Sequence, residues 1–90
     1  MKEQSFAIYN ERYVHLNGDI DQDGCLKLLS EVYGEDYDSE RHYSFSREET
    51  DKLFSIISLE DFISLCQEQR LAGMEKFLAE NHIMYGTITI

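Results

Sequence analysis

The sequence predicts an α+β fold, a two-layer sandwich in which helices cover one face of a four-stranded mixed sheet. Three observations predict it. Runs of aromatic and β-branched residues open the chain, two serine helix caps punctuate its middle, and a clean apolar–polar alternation closes it. The element order read from them is ββαβαα(α)β. Helices flanked by strands on both sides call for one sheet under one helical layer, and helical crossovers allow some strands to run parallel.

Residues 5–9 (Ser-Phe-Ala-Ile-Tyr) and 12–17 (Arg-Tyr-Val-His-Leu-Asn) form the predicted leading hairpin, with Asn10-Glu11 as a tight turn. That register sets Ile8 opposite Tyr13 and Phe6 opposite His15, with Ala7 and Val14 sharing the other side. Asp21 or Asp23 is then placed to cap a helix running to about Tyr33. Cys25, Leu28, Leu29 and Val32 would be its apolar stripe, and Gly34 follows as a fitting C′ residue. Residues 35–40 read as a loop, and His42 to Ser46 as a short strand with Tyr43 and Phe45 on one side.

Ser46-Arg47-Glu48-Glu49 is a capping box, so a helix starts there and carries Leu53, Phe54, Ile56 and Ile57. Ser58 caps a second helix, with Leu59, Phe62, Ile63 and Cys66 on one face. Gly73 interrupts the pattern. Either the helix kinks there, or a new helix begins near Leu71 with Met74, Phe77 and Leu78. Asn81-His82 ends it, and residues 83–90 close the sheet. The core is expected to draw on Leu16, Leu28, Leu29, Phe45, Phe62, Leu78 and Ile88, among others.

Ninety residues imply one domain over 1–90, and 42% apolar content is enough for a packed interior. The net charge of −10 comes from 18 acidic and 8 basic residues. Such a chain repels nucleic acids and anionic membranes. Lys27, Arg41, Arg47 and Lys52 are scattered among acids and form no basic patch. No stretch approaches the roughly 18 apolar residues of a membrane span. Cys25 and Cys66 form no CxxC pair and fall on predicted apolar faces, where free Cys acts as a small hydrophobe. Together these features predict a reduced, cytoplasmic setting.

The motifs of chemistry are sparse. Asp19-Ile20-Asp21-Gln22-Asp23-Gly24 matches the first half of an EF-hand loop, and Leu26 fits its apolar eighth position. Ser30 stands where the bidentate Glu belongs, and Glu31 comes one residue late. A calcium-binding module on these residues is therefore an alternative function, set against their use as helix caps. His15, His42 and His82 lie on separate elements, and no HxH or HExxH occurs. A glycine-rich phosphate loop and a nucleophile elbow are also lacking. No catalytic residue, cofactor site or metal site is assigned, and the chain reads as a non-enzyme.

The acidic charge is concentrated. Between Asp19 and Glu40 stand eight acids against Lys27 alone, −7 of the chain's −10. Glu35, Asp36 and Asp38 follow the predicted helix C-terminus, where negative charge is unfavourable. Tyr33, Tyr37 and Tyr43 lie among them, and tyrosine is a frequent interface anchor. The predicted partner-binding residues are Tyr33, Glu35, Asp36, Tyr37, Asp38 and Glu40, facing a basic protein partner.

Residues 33–38, Tyr-Gly-Glu-Asp-Tyr-Asp, resemble the inhibitory segment of the barstar-type ribonuclease inhibitors. The length, the predicted preceding helix and the terminal helix-then-strand are similar too. The leading hairpin departs from that pattern, and no second helix fits before His42. The function expected is a stoichiometric inhibitor of a basic partner, of the immunity or antitoxin type, such as one neutralising a nuclease toxin. A regulatory subunit or DNA mimic is the alternative within the interaction class.

Overall fold

The computed structural model describes residues 3–34 and 38–90. In chain order they form β1 (Gln4–Asn10), β2 (Val14–Ile20), β3 (Leu26–Tyr33), β4 (Asp38–Ser44), α1 (Arg47–Ile56), α2 (Leu59–Glu80) and β5 (Gly86–Thr89). The fold is α+β, but the sheet differs from expectation. It has five strands in the order β1-β2-β3-β4-β5, and every neighbouring pair is antiparallel. Both helices lie in the connection from β4 to β5.

The largest departure is the segment expected to be the first helix. Leu26-Lys27-Leu28-Leu29-Ser30-Glu31-Val32-Tyr33 satisfies a helical stripe and a two-residue alternation equally well. Burial follows the alternation, with Leu26, Leu28 and Ser30 buried and Lys27 exposed. The preceding acids do not cap a helix but build a hairpin turn. Asp21 Oδ1 accepts the N–H groups of Asp23 (2.9 Å) and Cys25 (3.0 Å). Gly24, at φ +82°, takes the left-handed position that closes the turn. Asp-Gly between two strands is a strong hairpin signal, and here it outranks the cap reading.

The leading hairpin is present with a different register. Its loop is longer than Asn10-Glu11, so Phe6 lies opposite Gly18 rather than His15. A Cβ on Gly18 would fall 2.6 Å from the Phe6 ring, so the ring lies directly over the bare backbone. A bulge between Ala7 and Tyr9 shifts the ladder, and Gln67 Nε2 of α2 donates to the Ile8 carbonyl at 2.8 Å.

The helix starts follow the sequence. Ser46 Oγ accepts from Glu49 N at 3.2 Å, and Ser58 Oγ accepts from Asp61 N at 3.1 Å. The break in α2 falls at Arg70 (φ 63°, ψ −165°), so a second helical stretch begins at Leu71. Gly73 accommodates that break, since a Cβ there would lie 2.2 Å from Gln69 Cβ. Outside the strained backbone, the Arg70 guanidinium pairs with Glu11 at 2.7 Å and stacks 4.4 Å from the Tyr9 ring centre.

One face of the sheet packs on the helices. Leu16, Ile20, Leu26, Leu28 and Tyr43 meet Leu53, Phe62, Cys66, Met74 and Leu78 there, each aliphatic or aromatic side chain worth roughly 1.5–3 kcal/mol of burial. Thr50 is buried in this layer without an unmet polar atom. Its Oγ1 accepts from Leu26 N (3.0 Å) and donates to the Ser46 carbonyl (2.8 Å), joining α1 to β3. Ile88 is not core. It is 64% exposed, because β5 lies at the sheet margin and Ile88 sits on the face away from the helices. Ile83, just before β5, is buried instead. No helix among the described residues is long and apolar enough to cross a membrane.

Candidate functional site

Among the described residues, no helix covers the opposite face of the sheet. Cross-strand register places its side chains in rows, since directly opposed residues project to the same side. Asn17, Leu29, His42 and Ile88 form one row, Asp19, Lys27 and Ser44 a second, and His15, Glu31 and Glu40 a third. The face is concave toward its β2–β3 end. A depression of about 620 Å³ is lined there by Ala7, Asn17, Asp19, Lys27, Leu29 and His42, among others. Lys27 leans on the turn, with Nζ 3.6 Å from Asp21 Oδ2.

The other end of the face is acidic. Glu31 stands directly opposite Glu40, and Tyr33 directly opposite Asp38. Like charges facing each other across a ladder are destabilising. The Tyr33 hydroxyl donates to Glu31 Oε2, and its ring meets His15 edge-on at 5.5 Å. His42 Nε2 lies 3.2 Å from Glu40 Oε2. The hydrogen bond to Glu31 pushes the Tyr33 phenol above its ordinary pKa, with burial and the charges of Glu31, Glu40 and Asp38 adding to it. One exposed phenol therefore senses three carboxylates. Among the described residues, no lysine or arginine pairs with any of the three.

Of the six predicted partner-binding residues, Tyr33, Asp38 and Glu40 fall together on this face. Glu35, Asp36 and Tyr37 lie outside the described residues. Residues 38–40 belong to a strand and not to a loop, and no helix C-terminus precedes them. The electrostatic tension is thus carboxylate against carboxylate rather than carboxylate against helix dipole. Tyr43 does not join the cluster. It is fully buried on the helical side, its hydroxyl donating to Glu75 Oε1 at 2.7 Å, and burial first and that bond second push it up to about 12. Glu31, His15 and His42 were missed by sequence reasoning. Alternation through Glu31 and Tyr33 would have found Glu31, had Leu26–Tyr33 been read as a strand.

The half EF-hand segment straddles the end of β2 and the following turn. Asp21 is occupied by the turn's own backbone, which holds its carboxyl below the usual range, the Cys25 N–H contributing most. Among the described residues, no three His, Cys, Asp or Glu side chains gather as a metal site. His82 follows the Asn81 cap of α2 at φ 57°, and its carbonyl accepts from Lys52 Nζ at 2.7 Å. Cys25 lies in the β2–β3 turn rather than on a helix. Cys66 is buried in the core, where burial pushes its thiol up to about 12.

The Tyr33–Asp38 segment joins two strands of a hairpin, so the likeness to barstar-type inhibitors does not extend to a preceding helix. Comparison with protein families, curated proteins and solved structures finds no match for this chain.

Proposed function

We propose that the chain is a non-enzymatic interaction module that docks on a basic protein through the acidic end of its open sheet face. The observation that carries this reading is the convergence of Glu31, Asp38 and Glu40 around exposed Tyr33, with no lysine or arginine paired to them among the described residues. A sheet face needs no such grouping to fold, and the opposed glutamates weaken it. A Lys/Arg-rich surface would relieve the repulsion on docking, while Tyr33 supplies contact area at low entropy cost. The net charge of −10 steers such an encounter over long range.

The narrower reading is a stoichiometric inhibitor of the immunity or antitoxin type. A nuclease must present a cationic site to its substrate phosphates, and a rigid strand pair bearing carboxylates can occupy that site. The test is affinity capture from the native host, followed by binding kinetics against the captured partner. Tyr33→Ala should speed dissociation and cost about 2 kcal/mol if Tyr33 is an anchor. Asp38→Asn should slow association, and salt should slow it further. A partner that binds both variants at wild-type rates, with no salt dependence, removes this face from the interaction.

A further inference from the structure

The two edges of the sheet are finished differently. β1 carries the bulge beside Ile8, its Ile8 carbonyl is taken by Gln67, and Arg70 covers Tyr9. Bulges and covering side chains are the usual protection of an edge strand. Among the described residues, β5 has none of these and no strand lies beyond it. Its residues Gly86-Thr87-Ile88-Thr89 include no charge and no proline, within an uncharged run from Ile83 to Ile90. Three of the chain's exposed large apolar side chains sit in that run: Met84 (71%), Ile88 (64%) and Ile90 (72%).

The hydrogen-bond phase of this edge is fixed. Ile90 exchanges both backbone bonds with Glu40, at 2.8 and 3.2 Å. Alternation along an antiparallel ladder then turns the peptide groups of Ile88 and Gly86 toward β4, and those of Thr87 and Thr89 outward. We propose that β5 pairs antiparallel with β5 of a second copy of this chain, about a twofold axis at Ile88, so that two sheets become one.

The sequence is self-complementary in that arrangement. Thr87 of each copy faces Thr89 of the other, and both pairs exchange N–H and C=O. Within the four residues of β5, centring on Ile88 is the register that pairs both threonines. Ile88 meets its own copy on the axis as a non-hydrogen-bonded pair, where side chains stand closest. Two copies each carrying −10 repel, and the side chains of this seam bring no charge to the contact. The nearest open-face carboxylate, Glu40, stays one strand back on each side. A twofold strand pair closes on itself and leaves no further edge of this kind to propagate.

Sedimentation equilibrium of the full chain over a wide concentration range tests this. The expected result is a monomer–dimer equilibrium. Thr89→Pro removes an outward N–H while sparing the bonds to β4, and Ile88→Lys sets two like charges on the axis. Each should weaken association by about tenfold or more, about 1.4 kcal/mol, with an unchanged circular dichroism spectrum. Ile88→Cys in a Cys25→Ser background should give a disulfide-linked dimer on oxidation. The inference is overturned by a monomer at every concentration, by a dimer indifferent to both variants, or by a β5 edge that captures only foreign extended peptides. Glu31→Gln with Glu40→Gln should leave the dimer intact, which separates this inference from the proposed function.

Discussion

The hairpins at the two ends of β3 are both acidic, and they use acid in opposite ways. At the β2–β3 turn, the Asp21 carboxylate accepts two backbone N–H groups and faces Lys27, so its charge holds the turn together. At the β3–β4 end, Glu31 faces Glu40 and Asp38 flanks Tyr33, with no lysine or arginine paired among the described residues. The first arrangement stabilises the fold and the second weakens it. A carboxylate bonded to its own backbone is a folding device, whereas those of Glu31 and Glu40 bond only to the side chains of Tyr33 and His42 among the described residues and keep oxygens for a partner. Acid content alone did not distinguish the two ends; the hydrogen-bond partners do.

The sharpest way to break the first half of this comparison is Gly24→Val. The left-handed φ of +82° disfavours any L side chain, so the cost should be about 1–2 kcal/mol in denaturant unfolding. A neutral result would mean that the turn does not hold the hairpin. Asp21→Ala should come next and should act through pH. The folded carboxyl titrates below its ordinary value, so Asp21 contributes stability above the unfolded pKa, and that contribution is lost as pH falls through the folded pKa. The wild type should therefore lose stability below roughly pH 4, and Asp21→Ala should flatten that limb. A limb that Asp21→Ala leaves unchanged would mean that this carboxylate does not hold the turn.

How far the sequence reaches follows the same division between local and non-local forces. Ser46 and Ser58 cap helices through bonds three residues away, and both helix starts were legible. The leading hairpin was legible as two strands but not in its register, which rests on Phe6 finding Gly18 across the sheet. Leu26–Tyr33 carries two periods at once, and only packing of Leu26 and Leu28 against α1 and α2 decides between them. Reading that segment as a helix changed the strand count, made a mixed sheet plausible and hid Glu31 from the site. The acidic cluster was visible as composition, whereas the opposition of Glu31 and Glu40 is a property of strand register.

The second half of the comparison is sharpened by Glu31→Gln with Glu40→Gln. Removing the cross-strand repulsion should raise stability by roughly 0.2–1 kcal/mol while slowing association with the basic partner. Opposite signs for stability and binding are the signature of a charge pair kept for something other than folding. A double variant that is less stable than the wild type would mean that these side chains support the sheet.

The smallest effect is the most direct probe of the cluster's geometry. The Tyr33 phenol is held above its ordinary value chiefly by its hydrogen bond to Glu31, so the folded state keeps its proton when the unfolded state has lost it. A raised phenol pKa contributes stability that is present below about pH 10 and is lost as pH rises through the folded value. Tyr33 is exposed, so the effect on unfolding should be too slight to resolve, and the titration itself is the readout. Following the phenol by NMR, Glu31→Gln should bring Tyr33 back toward its ordinary value, and Glu40→Gln should move it the same way by less. The buried Tyr43, pushed up to about 12 by burial and Glu75, should not respond to either and serves as the internal control. If Glu40→Gln moves Tyr33 more than Glu31→Gln does, the hydroxyl is bonded across the ladder rather than along β3. The partner would then meet a differently arranged face.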